Sequence, residues 1–150
     1  MYKKILVPLD GSELAERALV DLRIIASTGY APEVTLLMVV KAAFQGIPVY
    51  YQEMRGESPG SRAEADVGAY AENYLLKVAD SLKADGISAQ IAVVHGDPAK
   101  EIISYSENNQ MDLIIISSFG SSGASHWALG KVTDRVVHYS RVPVLVVRPV

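Results

Sequence analysis

The sequence predicts an α/β fold: a single domain in which a five-stranded parallel sheet carries helices on both faces. Three observations lead there. Short apolar runs at 4–9, 34–40, 89–94, 111–117 and 142–148 have the length and β-branched content of strands buried on both sides. Amphipathic stretches with helical spacing separate them, giving the order βαβαβαβαβ. The chain of 150 residues is one domain's worth, long enough for a single substantial core.

The first run, KILVPL, ends at Asp10-Gly11-Ser12, where Ser12 is a natural N-cap for the next helix. In that helix Leu14, Ala15, Ala18, Leu19, Leu22, Ile25 and Ala26 recur at helical spacing, and Gly29 stops it. VTLLMVV at 34–40 is the second buried strand. The segment 41–62, with Gly46, Pro48, Gly56, Pro59 and Gly60, is a long connection of the kind that is functional or mobile. Helical periodicity then runs from about Ala63 through Val67, Tyr70, Ala71, Tyr74, Leu75, Val78 and Leu82 to Gly86. Residues 89–94 form a third buried strand. Asp97 caps a third helix with Pro98 at its first position. The fourth strand, 111–117, leads into a loop rich in Ser and Gly, and a fourth helix begins near Gly130 with Val132, Val136 and Tyr139 facing inward. The fifth strand is VPVLVVR at 142–148, and Pro143 fits an edge position better than a central one.

Composition excludes several functions. The chain has no cysteine, which removes thiol catalysis, disulfides and thiolate metal sites. A net charge of -3 gives no support to a nucleic-acid partner. No apolar run approaches the roughly 18 residues that a membrane span needs. The apolar run after Met1-Tyr2-Lys3-Lys4 is too short for a signal peptide, so a cytoplasmic address is expected. His95, His126 and His138 lack ligand spacing, which argues against a metal site.

A strand, a loop of small residues and a helix start make a good design for holding phosphate. Glycines let the backbone approach the anion, and free N–H groups at a helix N-terminus point at it. Residues 112–132 (DLIIISSFGSSGASHWALGKV) have that order. In a doubly covered parallel sheet, ligands sit beyond the carboxyl ends of the strands where strand order reverses, so the end of strand one is the second candidate piece.

Here a resemblance becomes specific. KKILVPLDGSELAERAL resembles the opening of the universal stress protein family, a Rossmann-like fold related to the adenine nucleotide alpha-hydrolases. HGDPAKEI at 95–102 and IIISSFG…LGKV…VPVLVVRP are similar to the family's later segments, and 41–62 falls in its variable region. The resemblance implies binding of an adenine nucleotide, ATP first, AMP or ADP next, with Mg2+ as a companion ion. It implies contacts from Pro8, Leu9 and Asp10, the Asp10 carboxylate accepting from ribose hydroxyls, and from Val39, Ile116 and Val132. The family's phosphate motif is Gly, two residues, Gly, nine residues, then Gly followed by Ser or Thr. Gly120 and Gly130 match it, whereas Ser117 stands for the first Gly and Lys131 for the final Ser or Thr.

A positive φ at Ser117 would be costly, but its hydroxyl can donate to phosphate. The Lys131 ammonium can pair with phosphate or fold into the pocket and occupy the phosphate position. The resemblance also implies a homodimer through strand 142–148 and a regulatory role toward an unknown protein partner. At most slow ATP hydrolysis is expected, because no positioned base or acidic metal cluster emerges. The alternatives are a member that works through protein contacts without nucleotide, and a serine hydrolase built on Ser122 and a histidine. The spacing Gly120-Ser121-Ser122-Gly123 is one residue short of the hydrolase elbow. Phe119 and Trp127 read as core anchors, and Tyr50, Tyr51 and Arg55 as candidates for a lid.

Overall fold

Short runs of Val, Ile and Leu with no polar interruption suit strands of a parallel sheet covered on both faces, where the backbone pairs with neighbouring strands. In the computed structural model, which describes residues 2–29, 31–41, 62–118 and 129–148, those runs become β1 (Lys4–Pro8), β2 (Glu33–Val40), β3 (Ala89–His95), β4 (Leu113–Ser117) and β5 (Val144–Val147). All neighbours pair in parallel, in the order β3-β2-β1-β4-β5. The chain winds outward from β1 to β3, then returns to β4 beside β1. The switch point is therefore the crevice between β1 and β4.

The period of two sorts each central strand onto two cores. Ile5, Val7, Leu36 and Ile115 face α1 (Ala18–Ala26) and α2 (Arg62–Ala84), meeting Leu19, Leu22, Leu75 and Leu82. Leu6, Leu37, Ile114 and Ile116 face the other way and meet Ala99 and Ile102 of α3 (Pro98–Asn108) and Val136 of α4 (Lys131–Tyr139). Each fully buried Leu or Ile stabilises by about 1.5–3 kcal/mol, so the two layers fix the sheet from both sides.

Several details depart from the sequence reading. A short 3-10 turn, Ala15–Arg17, precedes α1. β3 is an edge strand, and its residues are half-buried or exposed rather than buried on both faces. On α2, Ala71, Leu75, Val78 and Leu82 are buried, but Val67 and Tyr70 are exposed because the first turns of the helix run past the sheet's core. On α4 the buried pair is Thr133 and Val136, while Tyr139 is 65% exposed. Tyr139 ends the helix and packs its ring edge-on against His138 instead. β5 is the other edge, as Pro143 suggested. The segment 42–61 lies outside the described residues, and with it Tyr50, Tyr51 and Arg55.

Candidate functional site

The chain leaves β1 through a turn that its own side chains lock. Leu9 is buried, and its N–H donates to the Leu37 carbonyl at 2.8 Å, so pairing continues one residue past β1. Asp10 then emerges into solvent. Its Oδ1 accepts from the Ser12 N–H at 2.9 Å and from the Ser12 hydroxyl at 2.6 Å. Gly11 sits between them at φ +89°, a conformation that side chains on Cβ disfavour. Ser12 Oγ in turn accepts from the Ala15 N–H at 3.1 Å, so Ser12 closes the turn that leads into the 3-10 segment, whereas the N-cap of α1 itself is Arg17 and not Ser12 as the sequence suggested. The carboxylate is thus held at the mouth of the crevice.

The opposite wall is the end of β4 and the start of α4. Ser117 and Ser118 are buried, and the Ser118 N–H donates to the Val147 carbonyl at 3.0 Å. The Thr133 hydroxyl donates to the Ser117 carbonyl at 2.9 Å, tying the first turn of α4 to the end of β4. Gly130 is the α4 N-cap at φ 88°, ψ 153°. As glycine it offers no side-chain oxygen to the first-turn N–H groups, and N–H groups at such a helix start suit an anionic acceptor. Among the described residues, the only positive φ outside glycine is at Gln110. Ser117 therefore carries none of the backbone strain that replacing a glycine can bring.

Every described candidate falls at this end of the sheet. Pro8, Leu9 and Asp10 close β1, Val39 lies near the end of β2, and Ile116 and Ser117 close β4. Val39 and Val132 pack, half-buried, against the cluster that contains Ile116. Lys131 is exposed on the first turn of α4, beside Gly130. Gly120 lies outside the described residues, as do Phe119, Trp127, Ser122 and His126. His95 is exposed at the end of β3. Asp97 caps α3, accepting from the Lys100 N–H at 3.1 Å, and pairs with Arg135 at 3.0 Å. Among the described residues no cluster of three His, Asp or Glu could hold a metal, and no helix is long and apolar enough to cross a membrane.

Three participants were not legible as such in the sequence. Ser118 is fully buried, and its hydroxyl has no hydrogen-bond partner among the described residues. Thr133 reads as an ordinary helix residue until its bond to Ser117 is seen. Tyr74 donates its hydroxyl to Glu16 Oε2 at 2.9 Å, joining α2 to the turn after Asp10. Burial, then the Glu16 hydrogen bond and charge, and then the more distant Asp10 and Tyr70, push the Tyr74 phenol well above its ordinary pKa. A signal for the last existed only as tyrosines spaced four apart on α2.

A cleft of ≈ 590 Å³ lies at the opposite, amino end of the sheet, between Arg23, Pro32, Val34, Asp85 and Ile87. None of the candidate residues line it. It lies at the wrong end of the strands for a switch-point ligand, so its size says nothing about the crevice between β1 and β4.

The fold and the site can be set beside known proteins. The family model described as the universal stress protein family matches residues 1–148. Universal stress protein MJ0577 of Methanocaldococcus jannaschii is 32% identical over 161 aligned positions, covering 99% of this chain and 96% of that protein. The solved structure of MJ0577 superposes with a TM-score of 0.82, covering 100% of this chain and 98% of the other. Universal stress protein YxiE of Bacillus subtilis is 29% identical, covering 99% of this chain and all of the relative. An Arabidopsis thaliana family member solved with AMP bound shares the fold at a TM-score of 0.67, with 18% identity and coverage of 99% and 92%. A match along nearly the whole chain, on the sheet order described above, makes this protein a member of the universal stress protein family.

Proposed function

We propose that this protein is a regulatory module that binds an adenine nucleotide, ATP in the first instance, in the crevice between β1 and β4. The observation that carries this reading is the convergence of two walls on the switch point. One presents the Asp10 carboxylate on a locked turn, and the other an α4 N-terminus that begins at Gly130 and is held by the Thr133–Ser117 bond. Asp10 would accept from ribose hydroxyls, and Val39, Ile116 and Val132 would supply the apolar wall for the adenine. Gly120, Gly130 and Lys131 would meet the phosphates, with Ser117 and Ser118 beside them. The buried Ser118 hydroxyl, without a partner among the described residues, fits a site that completes its hydrogen bonds with a ligand. Family members solved with AMP and with cAMP show that this fold accommodates adenine nucleotides in those proteins.

In this reading the module works in the cytoplasm as a homodimer paired through β5 and hydrolyses ATP slowly at most. Trp127, the single tryptophan of the chain, falls between β4 and α4 in sequence and provides the probe. Titration with ATP and Mg2+, followed by its fluorescence and by calorimetry, gives saturable micromolar binding that Asp10→Ala weakens by at least tenfold. Lys131→Ser then weakens binding if the ammonium pairs with phosphate and strengthens it if the ammonium occupies the phosphate position. Absence of binding at millimolar ATP by both methods would overturn the reading. It would favour a module acting through the exposed edge of β5 alone.

A further inference from the structure

The turn that presents Asp10 does not stand alone. Asp10 Oδ1 holds both the N–H and the hydroxyl of Ser12, and Ser12 Oγ holds Ala15. The Ser12 carbonyl accepts from the Glu16 N–H at 3.3 Å, and the Glu16 carboxylate accepts the Tyr74 hydroxyl at 2.9 Å. A continuous set of hydrogen bonds therefore runs from the Asp10 carboxylate to the middle of α2. Tyr74 is half-buried, and its neighbours Ala71, Leu75 and Val78 are buried in the sheet's core, so its hydroxyl is a fixed point. Tyr70, one turn earlier, brings its hydroxyl to 3.9 Å from the position a Cβ on Gly11 would take. Two phenols on one face of α2 thus bracket the segment from Gly11 to Glu16.

We infer that Tyr74 is a positioning residue for Asp10: through Glu16 and Ser12 it fixes the direction of the carboxylate and so sets how strongly the site selects a ribose over a deoxyribose. A carboxylate on a loose turn can satisfy itself with water. One held rigidly gains from each ligand hydroxyl and loses when that hydroxyl is missing. The neutral state of the phenol suits this role, since only the protonated form can donate to Glu16. Burial and the Glu16 carboxylate both favour it. The inference rests on the nucleotide reading above and deepens it by naming what tells one nucleotide from another.

The test compares ATP with 2′-deoxy-ATP by calorimetry on the full chain, in the unaltered protein and in Tyr74→Phe, Glu16→Gln and Glu16→Ala. The unaltered protein prefers ATP by roughly tenfold, the size expected for a hydrogen bond to a charged group. Tyr74→Phe and Glu16→Ala cut that preference to about twofold, while affinity for 2′-deoxy-ATP stays within about threefold of the unaltered protein. Glu16→Gln keeps an oxygen acceptor for the phenol and keeps most of the preference. A merely structural tether would lower both affinities together and leave their ratio alone, and an unchanged ratio in both Tyr74→Phe and Glu16→Ala would overturn the inference while leaving nucleotide binding standing. Failure of the unaltered protein to bind either nucleotide would overturn the nucleotide reading and this inference with it. Because the two variants cut the same bond from opposite sides, misfolding of one leaves the other to decide.

Discussion

The Thr133 hydroxyl donates to the Ser117 carbonyl oxygen at 2.9 Å across sixteen residues of sequence, and both residues are buried. This bond fixes the start of α4 against the end of β4. A strand end carries a carbonyl that the ladder no longer satisfies, and a buried one needs a partner. Thr133→Val, which keeps the shape and removes the donor, should destabilise the protein by about 1–3 kcal/mol in urea denaturation. Thr133→Ser should recover most of that loss. Equal stability of the Val variant would mean that the bond does not hold the two elements together.

Gly130 begins α4 at φ 88°, ψ 153°, a region open almost only to glycine. Gly130→Ala should cost about 1–3 kcal/mol of stability or shift the first turn of α4. In either case ATP affinity falls, because the first-turn N–H groups leave their position. Wild-type stability and affinity together in this variant would show that the glycine serves neither the turn nor the site.

The phenol of Tyr74 predicts an alkaline effect. Its folded pKa lies well above the unfolded value of about 10, so the neutral phenol is favoured in the folded state. That contribution is complete below about pH 10 and is lost as pH rises beyond it, because the unfolded chain ionises first. The unaltered protein should therefore lose stability more steeply than Tyr74→Phe between about pH 10 and pH 11.5, read as urea midpoints at matched pH. Parallel curves would contradict the assignment.

The edge position of β5 bears on assembly. Leu145 is exposed on this strand, and a lysine there discourages edge-to-edge pairing. Light scattering after size exclusion should find a dimer in the unaltered protein and a shift toward monomer in Leu145→Lys. A monomer for the unaltered protein at tens of micromolar would contradict pairing through β5.

The apolar runs of the five strands, the Ser12 turn and the cap at Asp97 were legible because each rests on local chemistry. A buried parallel strand reads as continuous Val and Ile, and a cap reads as a short oxygen-bearing side chain before a helical pattern. Asp10, Val39, Ile116 and Gly130 could be named in advance through the resemblance, but their convergence depends on the strand order, which no single stretch encodes. Tyr70 and Tyr139 were misread for a physical reason. Helical spacing identifies a face but not where along the helix the sheet ends, and both lie beyond its cover. The Thr133–Ser117 and Glu16–Tyr74 bonds were invisible because each joins segments far apart in sequence, and the burial of Ser118 because it depends on what packs around the end of β4.

The central claim is that the β1–β4 crevice holds an adenine nucleotide through Asp10 and the α4 N-terminus. Calorimetric titration of the unaltered chain with ATP, AMP and GTP in the presence of Mg2+ tests it most directly. Binding in this crevice gives one site per chain, micromolar affinity for ATP, weaker binding of AMP as phosphate contacts are lost, and weaker binding still of GTP. Equal heats for ATP and GTP, or no saturable heat with any of them at millimolar concentration, would contradict it.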